Sequence, residues 1–311
     1  MTTLAYATNY VGSSNVPAIR LANRLIGLAY PNLAAVYFTC GGVESNESAF
    51  KTARFYWKAK GKPDKVKIIS REYAYHGVSL AALSATAVPG YAKMFEPRVP
   101  NFIHTATPYG YRLQGVRPGE TVGQAAARML EETILREGPE TVAAVIAEPV
   151  QGAGGIMVSK AILDTMLSVP YGDRWMHAYT YSGHATCCAV GLRNLEILEK
   201  EGLVENAAKM GARLLAGMQT LMEFKAVGEV RGLGLMVAVE LVADRTTKAA
   251  FDPAQKVVGR VKAALEERGL FTRVVRDIIL LAPPLVISAA QVDRIIAIVR
   301  DGIAAVVPGR V

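Results

Sequence analysis

Residues 35–47 read AVYFTCGGVESNE. A β-branched and aromatic run, Ala35 to Thr39, enters Cys40-Gly41-Gly42 and emerges as a helical pattern from about Glu44 to Lys60, closed by Gly61 just past its end. A buried strand that turns through glycine into a helix is the unit from which α/β layers are built. The pattern recurs downstream. Val66–Ser70 (VKIIS) and Asn101–His104 read as strands with a short helix near Ser79–Ala85 between them, Gly123–Arg136 reads as an amphipathic helix, and Val142–Ala147 (VAAVIA) is a continuous apolar strand of parallel-sheet type. Each strand runs into a loop of glycine or polar residues, where α/β proteins place ligands.

The character changes after about residue 190. Leu203, Ala207, Met210, Leu214 and Met218 repeat at three- and four-residue spacing and predict one long helix. A strand-like run, Leu235–Leu241, follows Arg231-Gly232-Leu233-Gly234; a helix from about Gln255 to Arg268 ends at Gly269; a last helix opens at Ser288 with Gln291 three residues on and buries Val292, Ile295, Val299 and Ile303. The expected organisation is a large α/β domain over 1–188 and a smaller α+β domain over 189–311, with no internal repeat.

The 311 residues carry 51% apolar and 20% charged side chains, which excludes a disordered or collagen-like chain. The net charge of +8 comes from 35 Lys and Arg against 27 Asp and Glu. These basic residues are scattered over helix patterns without interleaved aromatics, so no nucleic-acid partner is expected. No apolar stretch approaches the roughly 18 residues that cross a bilayer, and Met1–Gly12 has neither a basic nor an apolar leader region, so no membrane or secretory role is expected. Three cysteines, two of them adjacent (Cys187, Cys188), suit a reducing cytoplasm.

Several loops could carry chemistry. The Gly41-Gly42-Val43 turn exposes amides at the positive end of a helix, suited to a phosphate, although a plain βα turn has the same spacing. Tyr75-His76-Gly77 follows the second strand, where an aromatic could stack on a flat ring or simply pack. Glu148 leaves the fourth strand at the ligand edge, before Gln151-Gly152-Ala153-Gly154-Gly155. That cluster is no dinucleotide fingerprint, the first loop is no triphosphate loop, and Ser182 in Tyr181-Ser182-Gly183-His184 sits in no nucleophile elbow. His76, His104, His177 and His184 stand in no metal-ligand spacing, so no metal is inferred.

Together FTCGGVESNE (38–47), REYAYHG (71–77), IAEPVQGAGG (146–155), HAYTYSGH (177–184), GLVENAAKMG (202–211), VRGLGLMVAVEL (230–241) and LAPPLVIS (281–288) resemble the class III aminotransferases, pyridoxal-phosphate enzymes of fold type I. The nearest pattern is that of the ω-amino-acid–pyruvate and amine transaminases. The resemblance implies a mostly parallel seven-stranded sheet in the large domain, pyridoxal 5′-phosphate as cofactor, and a homodimer, with tetramers a further option, whose active sites are shared. It implies that Gly42 and Val43 offer amides to the phosphate, where the family usually carries Ser in place of Val43. It implies that Tyr75 stacks on the pyridine ring with His76 beside it and that Glu148 lies near the ring's substrate side. Tyr179 and Thr180 would reach the neighbouring subunit's phosphate. Ornithine- and 4-aminobutyrate-type relatives carry an arginine just before L-A-P-P, where this chain has Leu280; amine enzymes carry a mobile arginine earlier, matched by Arg273. Arg273 is therefore the expected carboxylate clamp, with an amine or ω-amino acid as donor and pyruvate as acceptor.

Two family residues have no match. The Schiff-base lysine and the aspartate for the ring nitrogen lie, in the family, between the E-P-V-Q-G loop and T-Y-S-G. Here 31 residues separate Glu148 from Thr180, and their one lysine, Lys160, lies in SKAILDTMLSVP, which resembles sequence beyond the catalytic lysine. The catalytic residue is therefore unknown. The pattern breaks near Val158–Ser159, with two βα units, on the order of 60 residues, absent. Removing central strands predicts a sheet left in two fragments. A non-catalytic homologue that keeps a dimer surface and a phosphate site is the alternative reading.

Overall fold

The computed structural model describes residues 14–148, 157–159, 182–307 and 309, in two compact units divided between Arg193 and Asn194. The division falls inside a helix, five residues beyond the expected boundary after residue 188.

In the first unit, α1 (Val16–Leu28) is capped by Asn15, whose side chain accepts from the Ala18 N–H; the sequence reading has no counterpart for this helix. β1 (Leu33–Val36) leads to α2 (Gly42–Ala59), β2 (Lys67–Arg71), α3 (Leu80–Ala85), β3 (Phe102–Thr105), α4 (Val122–Glu137), β4 (Val142–Val145), β5 (Met157–Ser159) and α5 (Ala185–Lys200). α2 ends where expected, with Gly61 at φ +72°, a left-handed position that glycine enters at little cost. α4 opens with a reciprocal cap between Thr121 and Gln124.

β2 is the centre of a parallel sheet ordered β3-β2-β4, as the apolar runs predict. Its inner face packs Phe50, Ile68, Ala82 and Ala85, with Phe50 edge-on to Phe102 at 5.1 Å. β1 pairs only with β5, antiparallel, in a separate two-stranded sheet. The sheet thus stands in two fragments among the described residues. The backbone runs unbroken through Val158–Ser159 within β5.

β1 corrects one expectation. It stops at Val36 instead of Thr39, because the groups beyond it are taken elsewhere: the Phe38 carbonyl accepts from the Ser182 hydroxyl and the Thr39 hydroxyl bonds the Gly41 carbonyl at 3.0 Å.

The second unit holds α6 (Leu203–Gln219), β6 (Val227–Leu233), β7 (Met236–Leu241), α7 (Val257–Glu267), β8 (Arg273–Val275), β9 (Ile278–Leu281) and α8 (Ala289–Val306). The four strands form an antiparallel sheet ordered β6-β7-β9-β8. Where the sequence reading has one strand there are two, because Gly234 at φ +55° opens a two-residue hairpin between Leu233 and Met236. Leu214, Met218, Phe224, Val239, Leu265, Ile279, Val299 and Ile303 form a fully buried core, each contributing about 1.5–3 kcal/mol of transfer free energy. The Ser288–Gln291 capping box forms as expected. No helix among the described residues is long and apolar enough to cross a membrane.

Candidate active site

Three elements of the first unit converge at the carboxyl ends of β2 and β4. α2 begins with Gly42, Val43 and Glu44, whose amides lie in the first turn, ahead of the first helical bond from Ser45 N–H to the Gly41 carbonyl at 3.0 Å. Gly42 faces open space: a Cβ placed on it meets nothing within 4 Å. The Thr39 and Ser45 hydroxyls bond each other and stiffen the turn from behind. Val43 points the other way, into the contact between α2 and α3, and packs on Gly77 so closely that a Cβ on Gly77 would lie 2.8 Å from its Cγ2. Only glycine satisfies both that approach and the local φ of +126°.

The segment after β2 is fastened at each residue. Tyr75 N–H donates to Glu148 Oε1 at 3.0 Å, tying the end of β2 to the end of β4 across 73 residues of sequence. His76 N–H donates to Thr86 Oγ1 at 2.8 Å, its carbonyl accepts from Asn46 Nδ2 at 2.7 Å, and the Thr86 hydroxyl donates to the Gly77 carbonyl. Glu47 receives the Ser79 hydroxyl and the Ala82 N–H and so holds the start of α3. The Tyr75 ring is left 39% exposed, edge-on to Tyr91 at 6.3 Å, with a face available for stacking.

His76 is buried, 4% exposed, and its Nε2 has no hydrogen-bond partner. Desolvation, with a smaller contribution from nearby His104, pushes its pKa down to about 4, so it is a neutral imidazole at pH 7. His104 is lowered too, chiefly by burial.

Gly42, Val43, Tyr75, His76 and Glu148 therefore come together. Tyr179, Thr180 and Lys160 lie outside the described residues. Arg273 belongs to the second unit, exposed at the start of edge strand β8, where it pairs in register with Leu280 of β9. Sequence reading missed Asn46, Glu47 and Thr86. The first two follow Val43 at helical spacing and precede Phe50 on the same face, a signal that a carboxamide and a carboxylate there turn inward.

The arrangement fits the phosphate and ring portions of pyridoxal phosphate: open amides at a helix start, a tyrosine face beside them, and an unpartnered buried imidazole nitrogen. The described residues place no group for its covalent attachment. Lys65 and Lys67 are spent at the opposite end of the strands, on the Pro139 and Val142 carbonyls and on Glu137.

Comparison with known proteins agrees. The aminotransferase class-III sequence pattern matches residues 5–168 and again 161–303. The diaminobutyrate–2-oxoglutarate transaminase of Halomonas elongata is 35% identical over 367 aligned positions, covering 94% of this chain and 78% of that protein. Since 94% of 311 residues is about 292, roughly 75 of those positions have no counterpart here, somewhat more than the expected 60. Among solved structures, an (S)-enantioselective ω-transaminase from Thermomicrobium roseum is 40% identical with a TM-score of 0.91, covering 97% of this chain and 82% of its own. A PLP-bound amine transaminase from an uncultivated Pseudomonas species is 30% identical with a TM-score of 0.90, covering 98% and 84%. The chain belongs to the class-III aminotransferase family, the pyridoxal-phosphate-dependent transaminases.

Proposed function

We propose that this transaminase moves an amino group from an amine or ω-amino acid to pyruvate in two half-reactions at a site shared between two subunits. The observation that carries the substrate reading is the register of β8 on β9. Arg273 stands directly opposite Leu280, the position where ornithine- and 4-aminobutyrate-type relatives resemble one another in carrying their arginine. Directly opposed residues share a face with Cβ atoms about 5 Å apart, so the cation is displaced by one strand and kept on the same face. An exposed guanidinium on an edge strand can hold a carboxylate by two parallel bonds and swing aside for an apolar amine.

When bound, pyridoxal phosphate supplies the electron sink for the carbon that loses its proton. The protein's own groups position it. The α2 amides of Gly42 and Val43 hold the phosphate, Tyr75 covers one ring face, and Glu148 keeps Tyr75 in place through its backbone N–H. Arg273 takes the acceptor's carboxylate. Neutral His76 offers its unpartnered nitrogen at the buried side of the site. The lysine and the aspartate that complete such a site belong, in this reading, to the roughly 75 positions without counterpart. Two exposed unpaired thiols, Cys40 and Cys187, support a reducing cytoplasm.

The test is product formation with an apolar primary amine and either pyruvate or 2-oxoglutarate. Alanine from pyruvate is expected. Glutamate alone would reassign the acceptor. No product, together with no borohydride-reducible cofactor label on any peptide, would leave the non-catalytic homologue.

A further inference from the structure

Ser182 is buried, 7% exposed, and its hydroxyl donates to the Phe38 carbonyl, 144 residues earlier and four residues before Gly42. From the other side, Asn15 donates through Nδ2 to the Gly183 carbonyl at 2.8 Å while its Oδ1 caps α1. Asn15 is also 7% exposed. Two buried side chains thus pin the pair 182–183 to the stem of the loop that opens α2. A hydroxyl enters such a place at a desolvation cost that only its hydrogen bond offsets, whereas alanine fills the same space without that cost. Serine here fixes a position. Connectivity carries the position onward: Thr180, two residues before Ser182, lies no farther than about 7 Å along the chain.

We infer that Ser182 is a positioning residue for the phosphate site of the neighbouring subunit: anchored on Phe38 of its own chain, it sets the reach of Tyr179-Thr180 across the dimer. The inference rests on the shared-site reading proposed above. Its consequence is an effect in trans. Loss of the Ser182 hydroxyl weakens phosphate binding in the opposite subunit and spares the loop to which Ser182 is bonded.

Hybrid dimers separate the two. Gly42→Asp projects a carboxylate into the open space above α2 and disables one phosphate loop. In the first hybrid, one subunit carries both Ser182→Ala and Gly42→Asp, and its partner is wild type. In the second, one subunit carries Ser182→Ala and the other Gly42→Asp. Pyridoxal phosphate is titrated by fluorescence quenching, with inorganic phosphate as competitor. The first hybrid should lose about tenfold in affinity, the effect of one misplaced charge-assisted hydrogen bond, and the second should stay within about twofold. Ser182→Thr, which keeps the hydroxyl, should restore the first hybrid. Equal loss in both hybrids, loss confined to the second, or no loss in either overturns the inference while leaving the proposed function intact. A wild-type dimer that binds neither pyridoxal phosphate nor phosphate, or a wild-type monomer, overturns both.

Discussion

Moving a guanidinium across one strand spacing tests the substrate reading most directly. In Arg273→Leu the carboxylate of pyruvate loses two parallel charge-assisted hydrogen bonds. Bonds to charged groups contribute about 1.5–3 kcal/mol each when well desolvated. Arg273 is exposed, so solvent screening brings the pair down to about 2 kcal/mol, roughly a thirtyfold rise in KM for pyruvate. Leu280→Arg in the same chain returns the charge to the same face, about 5 Å away, and should bring KM back to within about fivefold of wild type. The fold should tolerate both changes, because Ile279 and Leu281 take the core side of β9 and leave Leu280 on the other, so melting should move by no more than about 0.5 kcal/mol. Steady-state kinetics on wild type, single and double variants, with pyruvate and an uncharged amine varied in turn, reads the result. An Arg273→Leu protein whose KM rises equally for the amine and for pyruvate, or a stable double variant with no recovery, would refute the clamp.

Other consequences are simpler. His76 keeps a folded-state pKa near 4 against an ordinary 6.5, so as pH falls the unfolded chain takes the proton first. Its share of stability is complete above pH 6.5, is lost between 6.5 and 4 by about 3 kcal/mol, and is constant below; urea unfolding of wild type against His76→Gln at pH 7 and 4.5 should show that slope only in wild type. Gly211→Ala places a Cβ 2.1 Å from the Gly234 carbonyl carbon, backbone against backbone, and should cost about 3 kcal/mol in chemical denaturation. Gly259→Ala, with nothing within 4 Å, should instead stabilise α7 by about 0.5 kcal/mol. Thr121→Ala removes one half of the α4 capping box and should cost about 1 kcal/mol by calorimetry.

What the sequence declared, it declared through local chemistry. Apolar runs bounded by glycine place β2, β3 and β4 to within a residue or two, and the Ser288–Gln291 box places the start of α8, because period and capping are properties of neighbouring residues. The site was legible in outline, since Gly42, Tyr75 and Glu148 sit at strand ends where such folds gather ligands. Its fastening was not. Asn46 on the His76 carbonyl, Thr86 on the His76 amide and Ser182 on Phe38 act across 10 to 144 positions, and no periodicity reports a bond of that span. Nor does sequence separate one strand from a hairpin in Val227–Val242, where a single positive φ at Gly234 makes the difference.

β4 states the remaining tension in the molecule. VAAVIA has the unbroken apolar character of a strand paired on both edges and covered on both faces. In the structure it pairs with β2 alone, and Val145 is 42% exposed. Ile146 N–H donates to the Ile69 carbonyl at 2.8 Å, so by alternation the Val145 N–H points to the side away from β2. Relatives carry about 75 more aligned positions, and the two family matches meet at 161–168, just past β5. The sequence of β4 is thus suited to neighbours that this chain does not bring to it, and an apolar edge of that kind invites pairing with another strand. Amide exchange makes the point measurable. Val145 should exchange at least about 100-fold faster than Ile146, since the first amide meets water and the second a ladder partner. Equal protection at the two positions would mean that another strand covers β4, and the two-fragment sheet would be wrong.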